Sequence, residues 1–218
     1  MTAGALHWFT SDLRIGDNPA LAGAGRGGPV VGVFVLNPAL LRRHAAARRR
    51  LAFMYATLRA LDAGLRERGS RLVVVEGDPA VELPRLATRL GARLLTHARN
   101  HEPAARAREI RVARALERDG VTVRADEAGL VQVPGALRTG SGEAYRVYSA
   151  YARAWEAAPV PAPARAPRDW VPLRALAGIG AELPAVPPGI ALPPAGEEAA
   201  RARLTAFLRS DVARYPEA

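Results

Sequence analysis

Five short runs of β-branched, aromatic and leucine residues alternate with helical patterns over the first 124 residues, and this rhythm most limits the fold. The runs are 5–9, 30–35, 71–76, 93–97 and 121–124. Strands separated by helices pair in parallel through crossover connections, with helices on both faces of the sheet. VVGVFV (30–35) and RLVVVEG (71–77) show no polar alternation, as strands buried on both sides require. The sequence therefore predicts an α/β fold built on a five-stranded, doubly wound, Rossmann-like parallel sheet. In the usual strand order the winding reverses between strands one and four.

The helical stretches carry their own punctuation. Leu51, Met54, Leu58, Leu61 and Leu65 recur at steps of three and four, and Gly69 closes that helix. Asp78 before Pro79 marks another start. A further helix opens at Pro103 and stops by Gly120, with Arg106, Arg108, Arg111, Arg114 and Arg118 expected on a solvated surface. Beyond residue 125 the rhythm fails. Residues 158–194 hold ten of the chain's 18 prolines, a composition expected of an extended connector rather than a packed unit. The last stretch, GEEAARARLTAFLRSDVARY, has an apolar face at Leu204, Phe207 and Leu208. A lone helix of this kind needs a partner: the sheet, another chain or a further domain. The expected division is an α/β domain at 1–128, a Pro-rich connector at 129–196 and a terminal helix at 197–218.

Composition excludes several classes. Cysteine is absent, so disulfides and thiolate metal sites are ruled out. His44 and His101 lack partners at metal-ligand spacing. No apolar run is long enough to span a bilayer, and no basic segment precedes an apolar leader. A cytoplasmic protein without a membrane partner is expected. All 31 basic residues are Arg and the formal charge is +10. That balance suits a polyanionic partner. The arginines are scattered, however, with few aromatics to stack on bases, and Ala, Gly, Pro and Arg share GC-rich codons.

The opening LHWFTSDLRIGDNPAL (6–21) changes abruptly from strand to charged loop to helix. The strand is expected to end near Phe9. Asp17 or Asn18 can cap the following helix, and Pro19 suits its first turn. Thr10, Ser11, Asp12 and Arg14 then lie beyond the strand's carboxyl end, where ligands bind in open α/β sheets. Across the reversal point they are expected to face Asn100, His101 and Glu102. From the pattern alone, Asp12, Arg14 and Glu102 suit a structural ion-pair network equally well. A nucleotide-binding α/β protein would show a Gly-rich phosphate loop after strand one, and TSDLRIGDN has none.

Four stretches in register resemble the DNA photolyase and cryptochrome family: WFTSDLRIGDNPAL (8–21), ARRRLAFMYATLRALD (47–62), NHEPAARARE (100–109) and VPGALRTGSGEAYRVYSAYARAW (133–155). Two positions depart from the family pattern. Ser11 stands where an Arg is usual, and Ser149-Ala150 replaces a Thr-Pro. The resemblance implies light-driven repair of pyrimidine dimers by electron transfer from reduced FAD in a complete protein. It places FAD and damaged DNA on a large helical domain that would follow residue 218, with residues 197–218 as its first helix. A polypeptide ending at Ala218 is then expected to be inactive alone, so its standing as an enzyme is open. The α/β domain of such proteins often holds a light-harvesting chromophore.

Carried over position by position, the resemblance points to Thr10, Ser11, Leu36, Asn37, Arg50, Phe53, Asn100, His101 and Glu102 as chromophore-binding residues. No catalytic or metal-binding residue is assigned. Arg50 would pair with a phosphate or anionic ring, and Asn100 and Glu102 would fix a heterocycle edge. Phe53 would stack on it, unless it belongs to the core. Folate-binding members carry an Asn-Glu pair where this chain has Ala104 and Ala105, which favours a deazaflavin or FMN. Two alternatives stay open: a stand-alone flavin- or nucleotide-binding module that docks onto a separate helical partner, and a cryptochrome-like photoreceptor fragment.

Overall fold

The computed structural model describes residues 2–127 and 129–217. Five strands, β1 (Ala5–Phe9), β2 (Val30–Leu36), β3 (Val73–Glu76), β4 (Leu94–Ala98) and β5 (Thr122–Asp126), form one parallel sheet in the order β3-β2-β1-β4-β5. The winding reverses between β1 and β4, as expected. Every residue of β1 and β2 is buried, because helices cover both faces.

The strand period sorts the core into two layers. Leu6, Trp8, Val31, Val33, Val73 and Leu95 face α4 (Pro79–Leu90) and α5 (Pro103–Arg118). Ala5, Phe9, Val30, Phe34 and Val74 face α1 (Pro19–Ala24) and α3 (Arg48–Arg66). Leu58, Leu61 and Leu65 of α3 are buried there, at the spacing the sequence gives them. Three helices begin alike: Asn18, Asn37 and Asp78 each accept a backbone N–H of the first turn, and Pro follows each at once. The middle one starts α2 (Pro38–Arg43), a six-residue helix that periodicity is too short to reveal.

The Pro-rich stretch is extended, but it is not loose. Trp170 bridges Val30, and Ala181 bridges Val74. The Val171 N–H donates to Val30 O at 3.0 Å, and Ser70 Oγ donates to Val171 O at 2.7 Å. Val171, Leu176 and Ile179 enter the core. Arg59 donates to the carbonyls of Leu183 and Pro184, and Arg49 to that of Ala191. These arginines satisfy carbonyls that a Pro-interrupted segment has no ladder to satisfy. Before this stretch, α6 (Tyr148–Ala157) contributes no buried residue.

The final helix, α7 (Glu197–Ser210), also buries none of its residues. Leu204 and Leu208 are each 56% exposed, so this face does not fold back on the sheet. No helix among the described residues is long and apolar enough to cross a membrane.

Candidate functional site

Strand β1 delivers the chain to the carboxyl edge of the sheet at Phe9. The loop 10–18 then turns it into α1, and Asn18 organises that turn. Its Oδ1 accepts from Leu21 N at 3.1 Å, while its Nδ2 donates to Asp12 Oδ2 at 2.8 Å and to Arg14 O at 3.2 Å. The Arg14 guanidinium donates to Asp17 O. Asp12 is thus held by Asn18 within its own loop. Burial raises its carboxyl above the usual carboxylate range, opposed by the hydrogen bond from Asn18.

The adjacent loop after β4 is held by a buried carboxylate. Glu109 Oε1 accepts from Asn100 N at 2.8 Å, and Glu109 Oε2 accepts from Arg106 at 2.8 Å. Asn100 Oδ1 accepts from Glu102 N at 2.9 Å, which fixes the turn into α5. His101 is paired with Glu127 beyond β5 at 2.8 Å. Glu102 is exposed.

Thr10 and Ser11 thus stand at the end of β1, and Asn100, His101 and Glu102 beyond the end of the neighbouring strand β4. Ser11 is exposed, whereas the Thr10 hydroxyl is buried and has no hydrogen-bond partner among the described residues. Around β2 the candidate residues divide. Asn37 uses its side chain to cap α2, accepting from Ala39 N at 2.9 Å. Leu36 is 2% exposed and packs in the core. As the last residue of β2, in register with Glu76, its side chain follows the strand's inward phase. On α3, Arg50 is exposed and makes no ion pair with a described residue. Phe53 is 39% exposed, so it does not belong to the core.

Sequence reasoning missed a buried polar group beneath these loops. His7 on β1 and Thr96 on β4 are fully buried, and His7 Nδ1 and Thr96 Oγ1 are hydrogen-bonded at 2.9 Å. His7 Nε2 lies 4.0 Å from Asp12 Oδ2 and has no hydrogen-bond partner among the described residues. Burial, and then the nearby His97, push the His7 pKa down to about 3, so the imidazole is neutral and the contact with Asp12 is not an ion pair. The signal was present in the sequence as His7 and Thr96-His97 interrupting otherwise apolar strands.

A pH dependence follows. The unfolded chain takes up a proton at His7 near pH 6.5, but the folded chain does not until about pH 3. The stability associated with neutral His7 is complete above pH 6.5 and is lost as pH falls, by about 1.4 kcal/mol per pH unit. Asp12 contributes the opposite slope, between its unfolded and its raised folded pKa. Denaturant unfolding of wild type and His7→Gln between pH 7 and 5 isolates the His7 contribution. The gap in slope between them is expected to approach one proton; parallel curves would show that His7 does not titrate in this way.

A cleft of about 540 Å³ lies between the loop 10–18, the C-terminal half of α3 and the start of α7. Leu13, Ile15, Leu61 and Gly64 line it, with Arg68 and Arg201 among its polar groups.

Fold and loops together define an open, doubly wound α/β domain with polar loops at its switch point, the arrangement that binds ligands at the carboxyl edge. The family model described as DNA photolyase matches residues 5–167, and the chain belongs to this family. It is 38% identical over 212 residues to a deoxyribodipyrimidine photo-lyase of Thermus thermophilus, covering 97% of this chain and 46% of that one. It is 35% identical to an uncharacterized 31.6 kDa protein of Synechococcus sp. (strain PCC 6716), covering 97% of this chain and 77% of that protein. Among solved structures, the class III photolyase of Agrobacterium tumefaciens superposes with a TM-score of 0.70 at 31% identity, covering 85% of this chain and 38% of that one. The chain therefore spans about half the length of the photolyases it matches.

Proposed function

We propose that this chain is the light-harvesting-chromophore domain of a photolyase-like protein. It binds a flat, anionic heterocycle, a deazaflavin or FMN in preference to folate, at the carboxyl edge of the sheet. The carrying observation is that two polar loops, the one at Thr10–Arg14 after β1 and the one at Asn100–Glu102 after β4, flank the strand-order reversal, where open α/β sheets bind their ligands. Ser11, Asn100, His101 and Glu102 offer further polar groups from the same pair of loops. Arg50 supplies an exposed charge for a phosphate or anionic ring, and Phe53 an exposed aromatic face for stacking. Asn37 has its side-chain oxygen engaged and Leu36 is enclosed, so neither is assigned a direct ligand contact through its side chain. Ala104 and Ala105 offer a folate no side-chain hydrogen bond.

In the complete protein the absorbed energy serves FAD on a helical domain that follows, and that domain meets damaged DNA. Residues 1–128 form the chromophore domain, 129–196 the connector and 197–218 the first helix of the flavin domain; Met1, Ala128 and Ala218 lie outside the described residues. A second reading, a stand-alone module docking onto a separate helical flavoprotein, is favoured by the Synechococcus relative, of which the chain spans 77%.

Fluorescence titration of the chain with FMN tests the proposal. A charge-assisted contact contributes about 1.5–3 kcal/mol, so Arg50→Ala is expected to weaken FMN binding roughly tenfold or more. Wild-type binding that is unchanged in Arg50→Ala would remove that residue from the site, and no binding of either FMN or a deazaflavin would overturn the proposal.

A further inference from the structure

The loop 10–18 is held from outside by the start of α7, far away in sequence. Glu197 Oε2 accepts from Ile15 N at 2.8 Å and from Gly16 N at 3.1 Å, and Glu197 Oε1 lies 3.2 Å from the same Gly16 N. Arg201, one turn further along α7, pairs with Glu197 Oε1 at 2.7 Å. Two glycines make the approach feasible. A Cβ on Gly16 would overlap Arg201 and Glu197, and a Cβ on Gly196 would overlap Ala60 of α3. Gly196 also sits at φ 99°, a left-handed conformation that other residues rarely adopt. The connector adds a second hold: Asp17 N donates to Ala164 O at 3.1 Å, and Asp17 Oδ1 accepts from Ala164 N at 2.9 Å. Asp17 itself has φ 46°, a strained value that persists only where surrounding contacts impose it.

We propose that Glu197 is a positioning residue for the chromophore site: its carboxylate fixes the loop 10–18 and so sets the wall that Thr10 and Ser11 present to the ligand. Two backbone N–H groups with no sheet or helix partner converge on one carboxylate, and Arg201 keeps that carboxylate oriented. The held segment is short. From Gly16, the loop returns through Arg14 O and Asn18 Nδ2 to Asp12, whose carboxylate accepts from Thr10 N at 3.4 Å. Loss of Glu197 frees the Ile15–Gly16 side of this ring and lets the Thr10 end relax with it. The terminal helix is thereby tied to the site, and whatever shifts α7 alters affinity there.

The coupling rests on the chromophore reading, whereas the clamp itself does not, so the experiment reads them separately. Amide hydrogen exchange at Ile15 and Gly16 is measured in wild type, Glu197→Ala, Glu197→Gln and Glu198→Ala, and each is titrated with FMN. In Glu197→Ala, exchange at both amides is expected to be roughly tenfold or more faster, and the FMN dissociation constant about fivefold higher. Glu197→Gln keeps one acceptor oxygen and restores part of both effects; a general loss of stability would not be rescued in this way. Glu198→Ala, a change at the neighbouring position, alters neither. Should Glu197→Ala not fold, Gly16→Ala displaces the same carboxylate while retaining it, and the same readouts apply. Unchanged exchange in Glu197→Ala would overturn the clamp. Faster exchange with unaltered FMN affinity would overturn the coupling. Wild type that binds no FMN would overturn the chromophore reading and the coupling together, leaving the clamp to be decided by exchange alone.

Discussion

A polypeptide of these 218 residues is expected to leave thymine dimers intact under near-UV light, even with reduced FAD supplied. The repair step that the family resemblance implies is an electron transfer from the flavin, and the protein contributes the flavin's position against the lesion. The chain spans 46% of the Thermus thermophilus photolyase, and the resemblance puts the flavin-holding helical domain in the remainder. Free reduced FAD without that domain has no fixed orientation to the lesion, and orientation supplies a large part of such rate enhancements. The check is a thymine-dimer oligonucleotide assayed under illumination with and without the chain. Repair above the protein-free control would show that residues 1–218 suffice.

The second large effect is on stability. Phe9 is fully buried between the sheet and α3, within contact distance of Gly32 on β2, where an added Cβ would lie 2.9 Å from the Phe9 ring. Its ring also meets His7 edge-on, with centroids 4.5 Å apart. Phe9→Ala removes an aromatic side chain from a layer that cannot close over the gap, because the sheet backbone on one side and α3 on the other are fixed. The expected cost is about 3–5 kcal/mol, a large fraction of the roughly 5–15 kcal/mol that a domain commands. Urea unfolding should show a much lower midpoint with a similar slope. A loss below about 1 kcal/mol would mean that the layer repacks.

The parallel sheet is legible because its strands are apolar runs with capped helices between them. β1 reads with its true bounds, Ala5–Phe9, and Asn18-Pro19 marks the following helix start. The same cap at Asn37-Pro38 is easily overlooked, since six residues give no period to recognise. The docking of the connector is illegible for a different reason. Its contacts are made largely by backbone carbonyls and by arginines more than a hundred residues away, such as Arg59 with Pro184. No local pattern encodes that. Part of the arginine excess finds its use there, as donors to carbonyls that prolines leave without a ladder.

The candidate site is legible in outline only. The reversal between β1 and β4 identifies the loops, but not what lies beneath them. His7 and Thr96 are 89 residues apart and meet because their strands are neighbours. Glu109 reads as one more helix charge, yet it is buried and holds the Asn100 turn. Family position points to Leu36 as a chromophore-binding residue, while the strand's phase packs its side chain into the core and leaves only its backbone for such a contact. Phe53 sits between the buried positions Ala52 and Leu58 on α3, on the helix side that turns outward.

The claim that the ligand sits at the strand-order reversal is tested most directly by amide chemical-shift mapping of the 23.2 kDa chain with FMN. The amides of Thr10, Ser11, Asn100, His101 and Glu102 are expected to shift together and saturate with one dissociation constant. Shifts confined to the cleft around Gly64 and Arg201, with Thr10, Ser11 and residues 100–102 unmoved, would contradict it.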